Sequence, residues 1–300
     1  MLSLAVSKLP EGPEWAYEVK FDGYRALGFK TAGRVQLRSR HGANFNERFP
    51  SIARALESLP DETVIDGEIV AYDAEGHPSF HVLQDQLSEK PRLHFFAFDI
   101  MFFRGMDVMH RPLEDRRRLL HRKVMPLLPD TVRFSETLEA SAAEVVEAIR
   151  GMGLEGVVAK RRESRYEPGR RSGAWQKMRI NKAGEFVIGG YTPGTRGFDA
   201  LLVGRREGGK LFYVAKVRAG FTPASRELVF AQLTSLATER CPFANLPESH
   251  RGRWGEGLTA EEMVLCRWLR PRLRATIAYL EVTAANHLRH AKFVSLLKHA

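Results

Sequence analysis

Cysteine is almost missing from this 300-residue chain: Cys241 and Cys266 are the only two, and they form no CxxC pair. That excludes a disulfide framework and a cysteine-ligated zinc site, and it fits a reducing compartment. Long hydrophobic runs are missing too, so no membrane span is expected. The opening "MLSLAVSKLPEG" has too short an apolar stretch for a signal peptide. Internal repeats and low-complexity tracts are absent, and the ten scattered histidines are given no catalytic role. What remains is ordinary globular material: 44% hydrophobic residues, at a length that suits two domains better than one. Acidic residues are outnumbered, giving a net charge of +10. The pI near 9.8 favours a polyanionic partner or substrate, nucleic acid or nucleotide.

Short β-branched or aromatic runs predict strands over Trp15–Phe21, Thr63–Tyr72, Leu93–Phe103 and Gly156–Lys160. Between them "FPSIARALESL" and "RPLEDRRRLLHRKVMPLL" repeat apolar residues at helical spacing, each with a proline near its start. "SAAEVVEAIRGMG" adds a capping box, Ser141 with Glu144, and Gly151 as the expected stop. After about Asn181 the pattern changes. "EFVIGGYTPGTRGFDALLVGRREGGKLFYVAKV" reads as three strands parted by glycine turns, followed by a helix in "PASRELVFAQLTSLA" and a strand in "LRATIAYLEVT". The fold class expected is α+β with two domains. The first spans residues 1–183 and the second, 184–300, is a small β-barrel with the OB-fold as leading candidate.

"EVKFDGYRAL" carries the first chemistry. On a strand, Glu18, Lys20 and Asp22 share one face, with Val19 and Phe21 turned toward the core. The bland alternative is an edge strand with a charged outer surface. Against it, the segment fits Lys-x-Asp-Gly-x-Arg, which chance yields in a chain of this length on the order of a few times in a thousand. In that pattern Lys20 is a nucleophile, Gly23 a tight turn and Arg25 a phosphate or ribose contact.

The pattern resembles motif I of the covalent nucleotidyltransferases: ATP-dependent DNA ligases, RNA ligases and capping enzymes. Further motifs follow in the family's order: "RSRHG", "VIDGEIV", "FAFDIM", "LEGVVAK" and "WQKMR". The wording of "PEGPEWAYEVKFDGYRAL", "YEPGRRSGAWQKM" and "EFVIGGYTPG" is similar to the bacterial ligases of non-homologous end joining. The resemblance covers nearly the whole chain. It implies an adenylation (nucleotidyltransferase) domain followed by an OB-fold, with no large DNA-binding domain ahead of Lys20. It also implies ATP as cofactor, Mg²⁺ or Mn²⁺, and nicked double-stranded DNA as substrate. The expected setting is a monomer in the bacterial cytoplasm at the nucleoid, working with end-bridging and polymerase repair proteins.

Residue by residue, the resemblance makes Lys20 the amine that receives AMP, with Lys177 and Arg179 beside the α-phosphate. Arg40 would hold the 5′-phosphate of a nick, and Phe98 would stack on the base. Glu68 would stand near ribose and metal, and Glu155, Glu68 and Asp22 would be the metal carboxylates. Glu18 is the expected acceptor for the adenine amino group, favouring ATP over GTP. A lysine must lose its proton to attack, from an ordinary pKa of about 10.4, and neighbouring cations favour that loss. The stretch from Lys160 to Lys182 holds nine Lys or Arg against two Glu. Arg161, Arg162, Arg165, Arg170 and Arg171 are the expected contacts to the DNA backbone, unless the stretch is only a solvated loop.

Two departures stand out. Motif V usually reads Lys-x-Lys, and here Arg179 takes the second place; its planar fork does not bind phosphate as lysine does. Family members also commonly end in Arg-x-Asp-Lys, which contacts the departing pyrophosphate. Alignment through His290 and Phe293 puts Leu297, His299 and Ala300 at those places, with Arg289, Lys292 or Lys298 as candidate substitutes. Adenylation from free ATP is therefore expected to be slow, with sealing of pre-adenylated nicks less affected. The rival readings are an RNA ligase or capping-type enzyme, and a non-enzymatic DNA-binding module that kept the fold.

Overall fold

In the computed structural model, which describes residues 1–73, 76, 78–84, 92–195, 197–249, 257–283 and 285–297, the chain separates into two units, Met1–Ile180 and Asn181–Ala300. Along the first run β1 (Leu4–Ala5), β2 (Trp15–Lys20), β3 (Tyr24–Thr31), β4 (Arg34–Ser39), α1 (Pro50–Ala55), β5 (Thr63–Tyr72), α2 (Phe80–Gln84) and β6 (Arg92–Phe103). Then come β7 (Met106–Asp107), α3 (Leu113–Leu119), β8 (Val132–Phe134), β9 (Thr137–Leu138), α4 (Ala142–Gly151), β10 (Gly156–Arg161) and β11 (Trp175–Arg179). They build two sheets, one in the order β1-β11-β10-β2-β9, the other β4-β3-β5-β6-β7 with β8 beside β6.

Each sheet buries one face by the two-residue period of a strand. In the first, Trp15, Tyr17 and Val19 pack with Val157 and Ala159 against Val145 and Ile149 of α4. In the second, Ala26, Ile65, Ile69 and Phe95 pack against Phe49, Ile52 and Leu56. α4 begins on the capping box formed by Ser141 and Glu144. It runs through Gly151, where the sequence suggested a stop, and Gly153 supplies the positive φ just beyond it.

The long helix expected after Pro112 is broken up. Its α segment stops at Leu119, Leu120–Val124 winds as a π turn and Met125–Leu127 as a 3-10 turn. Pro126 has no N–H with which to continue an α ladder. α3 is anchored instead by Arg116, fully buried, whose Nε and Nη2 donate to the two Asp99 oxygens at 2.8 Å each. Its Nη1 donates to the carbonyls of Arg111 and Ser164. A buried guanidinium satisfied this fully is a rigid post.

The second unit contains β12 (Lys182–Gly194), β13 (Gly197–Glu207), β14 (Lys210–Val217), α5 (Pro223–Leu233), β15 (Ala237–Thr238) and α6 (Ala260–Met263). After these come β16 (Arg267–Leu269), β17 (Arg274–Tyr279), β18 (Glu281–Val282), β19 (Leu288–Arg289) and β20 (Lys292–Leu296). β13 and β14 meet at a two-residue hairpin in which Gly208 and Gly209 both have positive φ, as a type I′ turn demands. β12 pairs with β13 on one side and with β17 on the other, and β17 pairs with β20. The ring closes where the Phe293 N–H donates to the Ala219 carbonyl at 2.9 Å, bridging Ala219 to Lys292. Five strands in the order β12-β13-β14-β20-β17, with α5 between β14 and β17 along the chain, make an OB-fold barrel. Its core holds Phe186, Ile188, Leu201, Val203, Ile277 and Phe293. Cys241 and Cys266, distant in sequence, share a side cluster of this unit, and both are free thiols.

At the C-terminus the Leu297 N–H donates to the Arg274 carbonyl at 2.9 Å. Lys298, His299 and Ala300 lie outside the described residues. Arg289, one candidate substitute for the missing basic residues, is paired with Glu281 at 2.7 Å. Among the described residues no helix is long and apolar enough to cross a membrane.

Candidate active site

The facing sides of the first unit's two sheets line a common cleft of about 210 Å³. Strand register sets out one wall. Across β2, β10 and β11 the pairings run Lys20–Gly156–Arg179, then Glu18–Val158–Lys177, then Ala16–Lys160–Trp175. Residues two apart on a strand share a face, so Lys20, Glu18, Lys160, Lys177 and Trp175 all line the cleft. The other wall carries Arg25 of β3, Glu68 of β5 and Phe98 of β6, with the exposed Arg40 beyond β4.

Two motif glycines explain how the walls come this close to their neighbours. A Cβ on Gly23 would sit 2.3 Å from the Ile69 carbonyl, and one on Gly156 only 2.1 Å from that of Met178. Neither position tolerates a side chain without moving a strand that bears site residues.

At one end of the ladder the Lys20 ammonium contacts Glu155 Oε2, while Arg179 Nε donates to Oε1 at 3.0 Å. Glu155 is thus held by the nucleophile candidate and by the motif V arginine together. Burial pushes its carboxyl above the usual range, against the pull of Lys20. The Lys177 amine is held below the usual lysine range, by burial first and then by the charges of Lys20 and Arg179.

Glu68 is half-buried and, among the described residues, has no hydrogen-bond or ion-pair partner. Burial pushes its carboxyl up to about 8, despite the opposing charges of Lys20 and Arg25. Glu155 adds to the rise, so the two carboxylates feel each other's charge. Asp22 does not continue the alternation of Glu18 and Lys20. β2 ends at Lys20, and the chain turns at 21–23 into β3. Asp22 nonetheless raises the Glu155 carboxyl by its charge. Phe21, expected in the core, is half-buried at that turn, lines the cleft and stacks on Phe96 with ring centroids 4.1 Å apart. Among the described residues no three His, Cys, Asp or Glu side chains gather as a metal-holding group.

Arg25 is less free than its motif suggests. Its Nε and Nη2 donate to the two oxygens of buried Asp66 at 3.0 and 2.5 Å, and Nη1 donates to the Met1 carbonyl at 2.6 Å. The Tyr166 hydroxyl donates to the same Asp66 at 2.7 Å. Phe98 lies edge-on to Trp175, with centroids 5.9 Å apart. Glu18, also buried, accepts from Arg117 at 2.9 Å and from the Ser135 hydroxyl at 2.7 Å. Lys160 Nζ lies 2.8 Å from Glu18 Oε1, over the rings of Phe98 and Trp175 at 4.3 and 4.5 Å. At that distance the Lys160 ammonium is paired with the Glu18 carboxylate, and burial holds it below the usual lysine range.

Arg117, Ser135, Lys160 and Trp175 are site residues that motif reading passed over. For Lys160 a signal existed, since it stands on the same face of β10 as Val158. For Arg117 the sequence offered only one arginine in a run of three. Of the expected DNA contacts, Arg161, Arg165, Arg170 and Arg171 are exposed, and Arg171 also lines the cleft. Arg162 is half-buried and engaged with the Pro13 carbonyl at 3.1 Å and with Glu114 at 3.4 Å.

Known proteins resemble this chain in sequence and in fold. Residues 3–179 match the family model described as the ATP dependent DNA ligase domain, and residues 194–298 match that of the ATP dependent DNA ligase C terminal region. The chain is 35% identical, over 98% of its length, to the multifunctional non-homologous end joining protein LigD of Pseudomonas aeruginosa, 35% of which is covered. It spans about a third of the length of this relative. Among solved structures, the ligase domain of LigD from M. tuberculosis is 31% identical with a TM-score of 0.56, covering 98% of this chain and 94% of that one. A mycobacterial DNA ligase D complexed with ATP and MES is 30% identical with a TM-score of 0.54, covering 100% and 96%. With the first family model alone spanning more than half of the sequence, the chain belongs to the ATP-dependent DNA ligase family.

Proposed function

We propose that this chain seals nicks in duplex DNA by way of a lysyl-AMP intermediate on Lys20, as the ligase portion of a bacterial double-strand-break repair system. The observation that carries this reading is the ladder of the first sheet. Lys20 and Arg179 stand on one rung, Glu18 and Lys177 on the next and Trp175 beside Lys160 on the third, with Phe98 facing them from the other wall. A nucleotide laid along that wall would put its α-phosphate among the cations and its base beside the aromatics.

In the first step Lys20 Nζ bonds to the α-phosphorus and the bond to the β-phosphate oxygen breaks, releasing pyrophosphate. The lysine proton has an acceptor in contact, Glu155. Lys177 and Arg179 would stabilise charge gathering on the phosphate oxygens. In the second step AMP moves from Lys20 to the 5′-phosphate of the nick, which Arg40 would hold. In the third the 3′-hydroxyl attacks that phosphate and AMP leaves.

The residues present fit a divalent cation. Glu68 is a carboxylate with no hydrogen-bond partner among the described residues and feels the charge of Glu155, and two carboxylates plus phosphate oxygens are an ordinary set for Mg²⁺. Glu68 and Glu155 would hold Mg²⁺ or Mn²⁺, with Asp22 near Glu155. Bound there, the ion would neutralise charge developing during in-line phosphoryl transfer.

Outside the cleft, Arg161, Arg165, Arg170 and Arg171 would meet the DNA backbone. End-bridging and polymerase repair proteins as partners, a cytoplasmic setting at the nucleoid and action as a monomer belong to the same reading. The division into residues 1–183 for adenylation and 184–300 for the OB-fold is part of the same reading. The test is a mass increase of one AMP on the protein with ATP and either Mg²⁺ or Mn²⁺, lost in Lys20→Ala. No adduct on the unmodified chain would overturn the reading in favour of a DNA-binding module.

A further inference from the structure

We propose that Arg117, on α3, is a positioning residue for base recognition: it fixes Glu18, the acceptor for the base's amino group, and Phe98, the ring beside the base, in one arrangement. The inference rests on the reading of the cleft as the ATP site.

Arg117 does not line that cleft, and its guanidinium is seen from a groove on the other side of the wall. It nevertheless ties the cleft's two sheets together. Nη1 donates both to Glu18 Oε1 of β2 at 2.9 Å and to the Phe98 carbonyl of β6 at 3.1 Å. Nη2 donates to the Ser135 carbonyl at 2.6 Å and to Thr137 Oγ1 at 3.2 Å. The guanidinium lies over the Phe134 ring, 4.5 Å from its centroid. A planar fork with fixed angles sets the distance between two partners in a way a flexible ammonium cannot.

The same contacts decide what Glu18 can still accept. Oε1 takes Arg117 and faces Lys160, while Oε2 takes the hydroxyl of Ser135. One acceptor position remains, on Oε2. It suits a neutral N–H donor, which the 6-amino group of adenine provides and a 6-unsubstituted purine lacks. Arg117 therefore acts on the nucleotide only through Glu18 and Phe98.

The experiment compares ATP with purine riboside triphosphate, which has no 6-amino group. KM and kcat for nucleotidyl transfer to Lys20 are read by mass in the full chain and in Arg117→Met, Arg117→Lys and Glu18→Ala. Unmodified protein should favour ATP by about tenfold or more in kcat/KM, as one hydrogen bond to a charged acceptor predicts. Arg117→Met and Glu18→Ala should both erase that preference by raising KM for ATP toward that for the purine analogue. Arg117→Lys should not restore it, and it carries the same comparison should the methionine variant fail to fold. A variant that loses rate with both nucleotides while keeping the preference would overturn the proposal, as would rescue by lysine or a Glu18→Ala protein that still prefers ATP. Absence of any adduct on Lys20 in the unmodified protein would instead overturn the function itself.

Discussion

Lys20 and Glu155 are in contact across 135 residues of sequence, and the second Glu155 oxygen is occupied by Arg179 at 3.0 Å. The nucleophile candidate and the motif V cation thus share one carboxylate, the proposed proton acceptor. Glu155→Gln keeps the shape but neither accepts the proton nor holds both cations. It should slow AMP transfer to Lys20 by ~10²–10⁴-fold, the range for loss of a positioned acid–base group. Stopped reactions analysed by intact mass would measure it, and a rate within about threefold of the parent's would refute the role.

Glu68 gives a pH dependence with a definite sign. Burial raises its carboxyl from 4.5 to about 8, so the folded chain binds that proton more tightly than the unfolded one. Its contribution favours folding below 4.5 and is lost as pH rises through about 8. Metal-free Glu68→Gln should therefore gain stability over the parent at about pH 9 relative to about pH 5. Urea midpoints at the two pH values test this, and an equal difference at both would contradict it.

The basic stretch should divide into working and structural arginines. Arg165, Arg170 and Arg171 are exposed, so alanine at each should weaken binding of a nicked duplex and lower its salt slope by about one. Arg162 is held by the Pro13 carbonyl and Glu114. Arg162→Ala should leave the salt slope unchanged. Fluorescence anisotropy over a salt series separates the two classes, and a slope change in Arg162→Ala would erase the distinction.

By the family resemblance, Leu297 and Ala300 are expected to stand where an arginine and a lysine would contact the departing pyrophosphate. Leu297→Arg with Ala300→Lys should speed AMP transfer from ATP by about tenfold, the worth of one good charged phosphate contact. Sealing of pre-adenylated nicks should not change. An unaltered rate of Lys20 adenylation would show that pyrophosphate departure does not depend on this end of the chain.

Local pattern reached far into this protein. The alternation of Trp15, Tyr17 and Val19 against Glu18 and Lys20 is the period of β2 itself. The paired glycines at 208–209 specify their hairpin, and Ser141 with Glu144 starts α4, because each depends only on neighbours a few residues away. The motif glycines were visible as letters, but their reason was not, since Gly23 and Gly156 are dictated by carbonyls of other strands. Asp22 was drawn onto the strand face by a period that the chain leaves at Lys20.

Composition determined a basic chain, and the order of its motifs carried the resemblance to the nucleotidyltransferases in which Lys20 is the expected nucleophile. Only the tertiary structure decided what each charge faces. Arg25 turned out to be committed to Asp66, and Arg117 to Glu18, 99 residues away. Partners of that kind are chosen by strand register and by the stacking of two sheets, which no short-range periodicity encodes. Burial then amplifies the choice, because a charge removed from water must find its counterpart within a few ångströms.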